Sequence, residues 1–390
     1  MHVLVVPSWY PTTEAPLRGI YFAEQAQILH DHGLRVGVLY PEQQSLHRLT
    51  VEALRRNHFQ TEWRMEKGIP TLRRHGWNVW WRVPPGVRLR VRQAVSLAHR
   101  YVDRHGLPDV IHAQSARWAG AAAARMSEHF SVPYVLTEHY SGVIRDDIFP
   151  WRWPLVETGV QHADGLAAVS SVLKESIVDD GLAAPDDIEI IPNPVRTGFF
   201  SLPTENRPSP PPFRIVTVAG LNARKKVELL LEAFAEAVGH TEASLTVIGD
   251  GPRRTALEAQ AHRLGVEKQV TFRGQVSRTE VRKALWDAHT FVLSSRYETF
   301  GVALVEAMAT GLPVVATRCG GPEDIVTKET GRLVPTNDPT ALADALCTMR
   351  EEWASYDPER IRTSVLDRYG PEPFVRRTQS FYRRARESAS

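Results

Sequence analysis

Apolar residues in this 390-residue chain fall mostly into short unbroken runs, each followed by a stretch in which they recur every three or four positions. The first run, HVLVV from His2, is followed by a helical pattern from about Ile20 to His32 and then by LRVGVLY, which predicts a β-α-β unit. The pattern returns in DVIHA, AGAAAARMSEHF, PYVLTEH, PLVETGVQHA and DGLAAVS, and closes at IEIIP near Pro192. Nearly continuous apolar strands suit a parallel sheet covered on both faces. The expected fold class is therefore α/β, starting with a doubly wound domain.

From Pro192 to Phe213 there are seven prolines and no apolar period, the mark of a connector. Beyond it the alternation restarts with FRIVTVA, VELLLEAFAEAV, SLTVIGD, RRTALEAQAHRLG and QVTFRG, and continues through TFVLSS, ALVEAMATG, PVVAT and GRLVP. The expected domains are a Rossmann-like acceptor-side domain over 1–195, a Pro-rich linker over 196–212, and a second Rossmann-like domain over 213–370. Residues 371–390 should form a basic helix, either solvated or packed back on the N-terminal domain. Two such domains in tandem are expected to face each other across a cleft lined by the loops that follow their strands.

Composition narrows this picture only slightly. With 43% hydrophobic and 24% charged residues the chain reads as globular, and no apolar run approaches the roughly 18 residues of a spanning helix. The opening MHVLVVPSWYP lacks the basic region and apolar length of a secretory signal, and two cysteines, Cys319 and Cys347, fit a reducing compartment. A cytoplasmic location is expected. A net charge of +2 argues against a broad nucleic-acid-binding face. One segment departs from that balance: residues 73–104 carry eight arginines, one acid and the tryptophans Trp77, Trp80 and Trp81. That mixture fits peripheral contact with an anionic membrane and a lipid-linked acceptor, and equally a solvated helix face over core tryptophans.

The chemistry concentrates in SSRYETFGVALVEAMATGLPVVATRCGGPEDIV, Ser294 to Val326. Glu298 follows a strand, Thr299, Phe300 and Gly301 open a helix, and Glu306 lies about one turn inside it. A helix start offers unpaired N–H groups and the positive end of the dipole, which suits a diphosphate. The two acids could then accept from hydroxyls, Glu298 from a sugar and Glu306 from a ribose diol. Glu pairs eight apart also occur at Glu228 and Glu236 and at Glu351 and Glu359. What sets the 298 and 306 pair apart is the strand-to-helix turn and the glycine pair Gly320 and Gly321.

With GDGP at Gly249 to Pro252, VTFRG at Val270 to Gly274 and IIPNPV at Ile190 to Val195, this block resembles the family 4 glycosyltransferases. These are retaining enzymes with two Rossmann-like domains in the architecture called GT-B, among them bacterial enzymes of glycan and exopolysaccharide synthesis. The resemblance covers nearly the whole chain. It implies transfer of a hexose-type sugar from a UDP or GDP donor to a glycan or lipid-linked acceptor, by same-face attack. It also implies that Glu306 binds ribose, Glu298 contacts the transferred sugar, and the backbone of Thr299, Phe300 and Gly301 holds phosphates. Lys225 would reach the diphosphate, whose negative charge grows as it departs. The family usually has Gly-Arg-Leu before that lysine where this chain has Ala219, Gly220 and Leu221, and Arg224 is the nearby substitute. Gly249 and Arg273 would border the nucleobase, His139 would hydrogen-bond the donor sugar, and Gly19 would allow close approach at the first helix.

No D-x-D pair and no Cys/His cluster with ligand spacing occurs, so neither a metal nor another cofactor is expected. A dehydrogenase is disfavoured because no G-x-G-x-x-G follows the first strand. A sugar-nucleotide epimerase and a non-catalytic sugar-nucleotide-binding protein remain as alternatives.

Overall fold

A computed structural model of the chain describes residues 1–44, 50–57, 59–77, 83–140, 142, 150–238 and 242–389. Two compact units emerge: Met1–Asn193 together with Phe374–Ser390, and Pro194–Pro373. Both are parallel-sheet α/β units of Rossmann type, as the alternating pattern predicts.

The first unit is built on strands β1 (His2–Pro7), β2 (Arg35–Gln44), β3 (Thr61–Glu66), β4 (Ile69–Trp77), β5 (Val110–Gln114), β6 (Tyr134–Glu138), β7 (Gly165–Ala168) and β8 (Ile188–Ile190). Their order is β3-β4-β2-β1-β5-β6-β7-β8. Val3, Val5 and Val6 of β1 are wholly buried, which fits a strand covered on both faces. The order reverses between β1 and β5, and at such a switch point the loops leave in opposite directions and open a crevice. Helix α1 (Ile20–Asp31) follows β1, and α2 (Pro84–His105) follows β4.

The pairing of β3 with β4 is antiparallel and was not foreseen. Lys67 and Gly68, both at positive φ, make the two-residue turn between them. The alternation is hidden because β4 buries charge: Arg73 is 4% exposed and its guanidinium meets both oxygens of Glu66 at 2.7 and 2.9 Å. The basic segment 73–104 is therefore not one face. Arg73 is a core ion pair, whereas Arg88, Arg92, Arg100 and Arg104 form an exposed stripe on α2. Trp80 and Trp81 lie outside the described residues. No described helix is long and apolar enough to cross a membrane.

The second unit holds β9 (Phe213–Val218), β10 (Ala243–Ile248), β11 (Val270–Gly274), β12 (Thr290–Leu293), β13 (Val314–Thr317) and β14 (Gly331–Val334). They lie in the order β11-β10-β9-β12-β13-β14, all parallel, so the switch point falls between β9 and β12. Val292 and Val315 pack with Leu230, Leu231 and Phe234 in a fully buried core. Helices α3 (Arg278–Asp287) and α4 (Val302–Ala309) precede and follow β12.

The proline-rich stretch, expected as a connector, is fastened to this second unit. Arg207 donates to the carbonyls of Leu285, Trp286 and Ala288, which end α3, and the Trp286 indole donates to Ser201 O at 2.6 Å. A cation at a helix C-terminus satisfies carbonyls that the helix leaves unpaired.

The last helix, α5 (Pro371–Ser388), joins the first unit from Phe374 onward. Phe374, Thr378, Phe381, Tyr382 and Ala385 are buried at helical spacing while Arg376, Arg383 and Arg386 stay outside. Tyr382 Oη lies 2.8 Å from Nδ1 of His112 on β5, and Arg384 pairs with Glu189. A fully solvated helix is thereby ruled out: its basic residues cover only one face.

Candidate functional site

At the switch point of the second sheet, the loop after β9 is bonded to the loop after β12. Arg296 N donates to Arg224 O at 2.8 Å, and Ser294 Oγ donates to Lys225 O at 3.0 Å. The loop after β13 closes the arrangement, with Glu298 N on Cys319 O and Gly321 N on Glu298 O. Three consecutive loops at the carboxyl edge of the sheet thus fix one glutamate.

Glu298 is 5% exposed. Lys225 Nζ and Ser295 Oγ both donate to its Oε1, and Arg224 Nη1 stands 3.9 Å from Oε2. Burial opposes its charge, but the lysine and arginine outweigh burial and hold the carboxyl below the usual range. The group is therefore ionised and carries two cations. The Lys225 and Arg224 side chains keep 17% and 30% exposure, so their charge still reaches a ligand. Helix α4 starts beside them with Gly301 as N-cap and no side-chain cap on its first amides. Phe300 is buried with its ring 5.5 Å from that of Tyr369, which fixes the turn through Thr299 and Phe300.

Glu306, one turn into α4, is 8% exposed and accepts from Arg278 Nη2 at 2.9 Å. Arg278 was not a candidate from the sequence. Its one signal there was a helix start, since Ser277 and Glu280 form a capping box around it. The nearby loops are tightly laced: Leu221 N donates to Asp250 O, Arg253 N to Leu221 O, and Gly249 N to Gly274 O. Gly249 sits at φ 129°, and a Cβ there would be driven into the Ala219 carbonyl oxygen. Arg273 stands apart from the Lys225–Glu298 cluster in its pairing: it is exposed and 3.8 Å from Glu280. Gly220, where the resemblance led one to expect an arginine, would set an added Cβ in ordinary contact with the Asn222 side chain at 3.5 Å, whereas Arg224 does stand at the cluster.

His139 and Gly19 belong to the first unit. Gly19 caps α1 at φ 70°, and a Cβ on it would lie 2.7 Å from the Trp9 carbonyl carbon and oxygen, so the helix start is clamped on the loop after β1. His139 follows β6 and is 6% exposed, its ring 5.7 Å from that of Tyr21 and 4.8 Å from that of Phe22. The adjacent Glu138 is structural: its carboxylate accepts from the backbone amides of Ala116, His139 and Tyr140, each at 2.7 Å.

Burial, aided by the nearby His112, pushes His139 down to about 3, and burial alone does the same to His112. Both imidazoles are neutral at physiological pH. In the unfolded chain they titrate near 6.5, so below that pH the unfolded state binds more protons and stability falls. Each should contribute a loss of about 1.4 kcal/mol per pH unit between about 6 and 4. Urea midpoints over that range should flatten in a His139→Gln variant; an unchanged slope would show that His139 is not held neutral.

Residues 19–199 match the family model described as Glycosyltransferase Family 4, and residues 212–352 match that described as Glycosyl transferases group 1. The putative teichuronic acid biosynthesis glycosyltransferase TuaC of Bacillus subtilis is 27% identical over 368 residues, covering 90% of each chain. Sucrose-phosphate synthase from Thermosynechococcus elongatus superposes with a TM-score of 0.77 at 21% identity, covering 98% of both chains. HepE of Anabaena, solved in complex with UDP, gives 0.73 at 18% identity, covering 97% of this chain and 99% of that one. These two structures share the GT-B fold with the chain.

Proposed function

Since the chain is a glycosyltransferase, built of a Family 4 domain followed by a group 1 domain, we propose that it moves a hexose-type sugar from a UDP or GDP donor to a glycan or lipid-linked acceptor. In this reading the anomeric configuration is retained and no metal ion is needed. The observation that carries it is the buried Glu298 presenting Lys225 and Arg224 beside the uncapped start of α4. A diphosphate set there gains two cations and the helix dipole, and these interactions strengthen as the leaving group acquires charge. Positive charge from the chain thereby does the work that a divalent ion would otherwise do.

Glu298 is already engaged by Lys225, Ser295 and Arg224, so it serves better as the holder of the cations than as a nucleophile. Two-carboxylate catalysis would need a second acid poised on the same bond. Same-face attack, with the leaving phosphate accepting the acceptor's proton, is the mechanism this geometry favours. Glu306 would exchange part of its pairing with Arg278 for the ribose hydroxyls, and His139, neutral, would serve the donor sugar as a hydrogen-bonding group. UDP is the first nucleotide to try, because HepE, of the same fold, was solved with UDP and with UDP-glucose.

Incubating the purified chain with UDP- and GDP-sugars in the presence of EDTA should release the nucleoside diphosphate slowly even without acceptor. The sugar transferred should keep the anomeric configuration of the donor by NMR. An isomerised donor would instead indicate an epimerase, and tight binding without turnover a non-catalytic binder. Complete loss of turnover in EDTA, restored by a divalent ion, would overturn the metal-free reading.

The lipid-linked form of the acceptor rests on the exposed arginines of α2. If they meet a membrane, the chain should sediment with anionic vesicles at low salt and be released at moderate salt. Absence of binding at low salt would end that idea.

A further inference from the structure

The first unit buries three carboxamides in a chain. Gln25 on α1, Gln114 at the end of β5 and Asn193, which ends the first segment of the unit, are 2%, 1% and 5% exposed. Gln114 Nε2 donates to Gln25 Oε1 at 2.8 Å, and Gln25 Nε2 donates to Asn193 Oδ1 at 2.7 Å. Burying carboxamides is costly unless they are bonded, and apolar groups of the same shape would fill the space at no loss. What the amides supply that an apolar core does not is a direction. The chain starts at Gln114, whose own Oε1 has no partner among the described residues, and runs to the carbonyl oxygen of Asn193. That oxygen has a second lone pair for another donor.

His139 stands beside it. Neither of its ring nitrogens is hydrogen-bonded among the described residues, and the ring is 6% exposed. Burial and then His112 lower its proton affinity, and the Asn193 side chain works against both. A neighbour that favours the protonated ring offers it an acceptor, which is what the carbonyl end of the amide chain provides. A neutral imidazole has one N–H and one lone pair on opposite sides, so the partner of the first decides where the second is presented. Phe22, packed edge-on at 4.8 Å, has no polar atom to compete for either nitrogen.

We propose that Gln114, Gln25 and Asn193 are positioning residues that fix His139 in one tautomer, its N–H given to Asn193 and its bare nitrogen left to accept from a hydroxyl of the donor sugar. The inference rests on the proposed role of His139 toward that sugar and gives it a polarity: the sugar donates the bond and the imidazole accepts it. The amide chain acts only through the ring and touches no substrate.

The test is nitrogen NMR of the histidine imidazoles in the full chain at about pH 7.5, where the His139 ring is neutral. Its signals are assigned by their absence from His139→Gln. The parent should show His139 as a single tautomer, one nitrogen protonated and the other bare. Asn193→Leu removes the acceptor, and Gln25→Leu frees the Asn193 amide to turn either face to the ring; both should give a mixture of the two tautomers. In each variant kcat/KM for the nucleotide sugar should fall about tenfold, the worth of one misdirected hydrogen bond. Melting temperature and circular dichroism check folding, and Gln25→Leu, which keeps Asn193 in place, carries the test if Asn193→Leu does not fold.

A mixture of tautomers in the parent, a single unchanged tautomer in every folded variant, or a changed tautomer with kcat/KM unaltered would each overturn the proposal. Failure of the transferase reading would look different: the parent chain would cleave no donor, while the imidazole spectra of parent and variants would still differ.

Discussion

Replacing Lys225 with alanine should lower turnover about 10²- to 10³-fold, the size of effect seen when one group aimed at developing charge is removed from an active site. The expectation follows from the position of its ammonium on Oε1 of Glu298, with part of the side chain still open to solvent. The same substitution has a second consequence. Glu298 would keep its burial and lose the larger of its two cationic partners, so its carboxyl would move up from its lowered position.

A carboxyl whose folded value lies below its unfolded one stabilises the protein above the unfolded value, and the contribution disappears as pH falls through the folded value. The stability difference between parent and Lys225→Ala should therefore be largest at neutral pH and shrink below about pH 4, where the unfolded carboxylates protonate. Adding Glu298→Gln to Lys225→Ala should restore much of the stability and none of the turnover. Turnover in Lys225→Ala within threefold of the parent would remove the lysine from the proposed phosphate grip.

The second large effect is expected at Gly249. A methyl group there meets the Ala219 carbonyl oxygen, on a backbone at φ 129° that other residues rarely adopt. Overpacking and backbone strain together should cost about 2–6 kcal/mol in the second unit. Gly181 is the matched control: its φ is also positive, at 67°, but no atom lies within 4 Å of an added Cβ. Gly181→Ala should lose only the roughly 1–2 kcal/mol of the left-handed conformation. Because the loop at Gly249 is hydrogen-bonded to Leu221, Gly249→Ala should also weaken nucleotide binding, measurable as a smaller thermal shift with UDP or GDP. Equal melting temperatures for the two alanine variants would contradict the close contact.

Both predictions concern a region whose outline was readable in the sequence. Strand, turn, glycine and helix around Glu298 are local features, set by periods of two and 3.6 and by turn chemistry. The pairing of Glu298 with Lys225, 73 residues away, is a tertiary event, and no local pattern encodes it. Arg278 escaped for the same reason, since its helix cap was visible and its partner Glu306 was not. The hairpin of β3 and β4 was missed because Arg73 and His75, charged or titratable, occupy inward positions that the alternation rule assigns to apolar residues. For helix α5 the sequence leaves two readings, solvated or packed on the N-terminal domain, because its apolar period lies beside a basic face and its partner His112 is 270 residues away.

That helix gives the chain a particular history during synthesis. The second unit is continuous, but the first needs residues from Phe374 onward, which leave the ribosome about 180 residues after Asn193. At roughly 5–20 residues per second the first sheet waits on the order of 10 to 40 seconds for its last helix. Through that interval His112, already placed by β5, lacks the Tyr382 hydroxyl that will meet it, and the bed of Phe381 faces water. The half made first is the half finished last, and the nascent chain is most exposed to aggregation at the surface that α5 will cover.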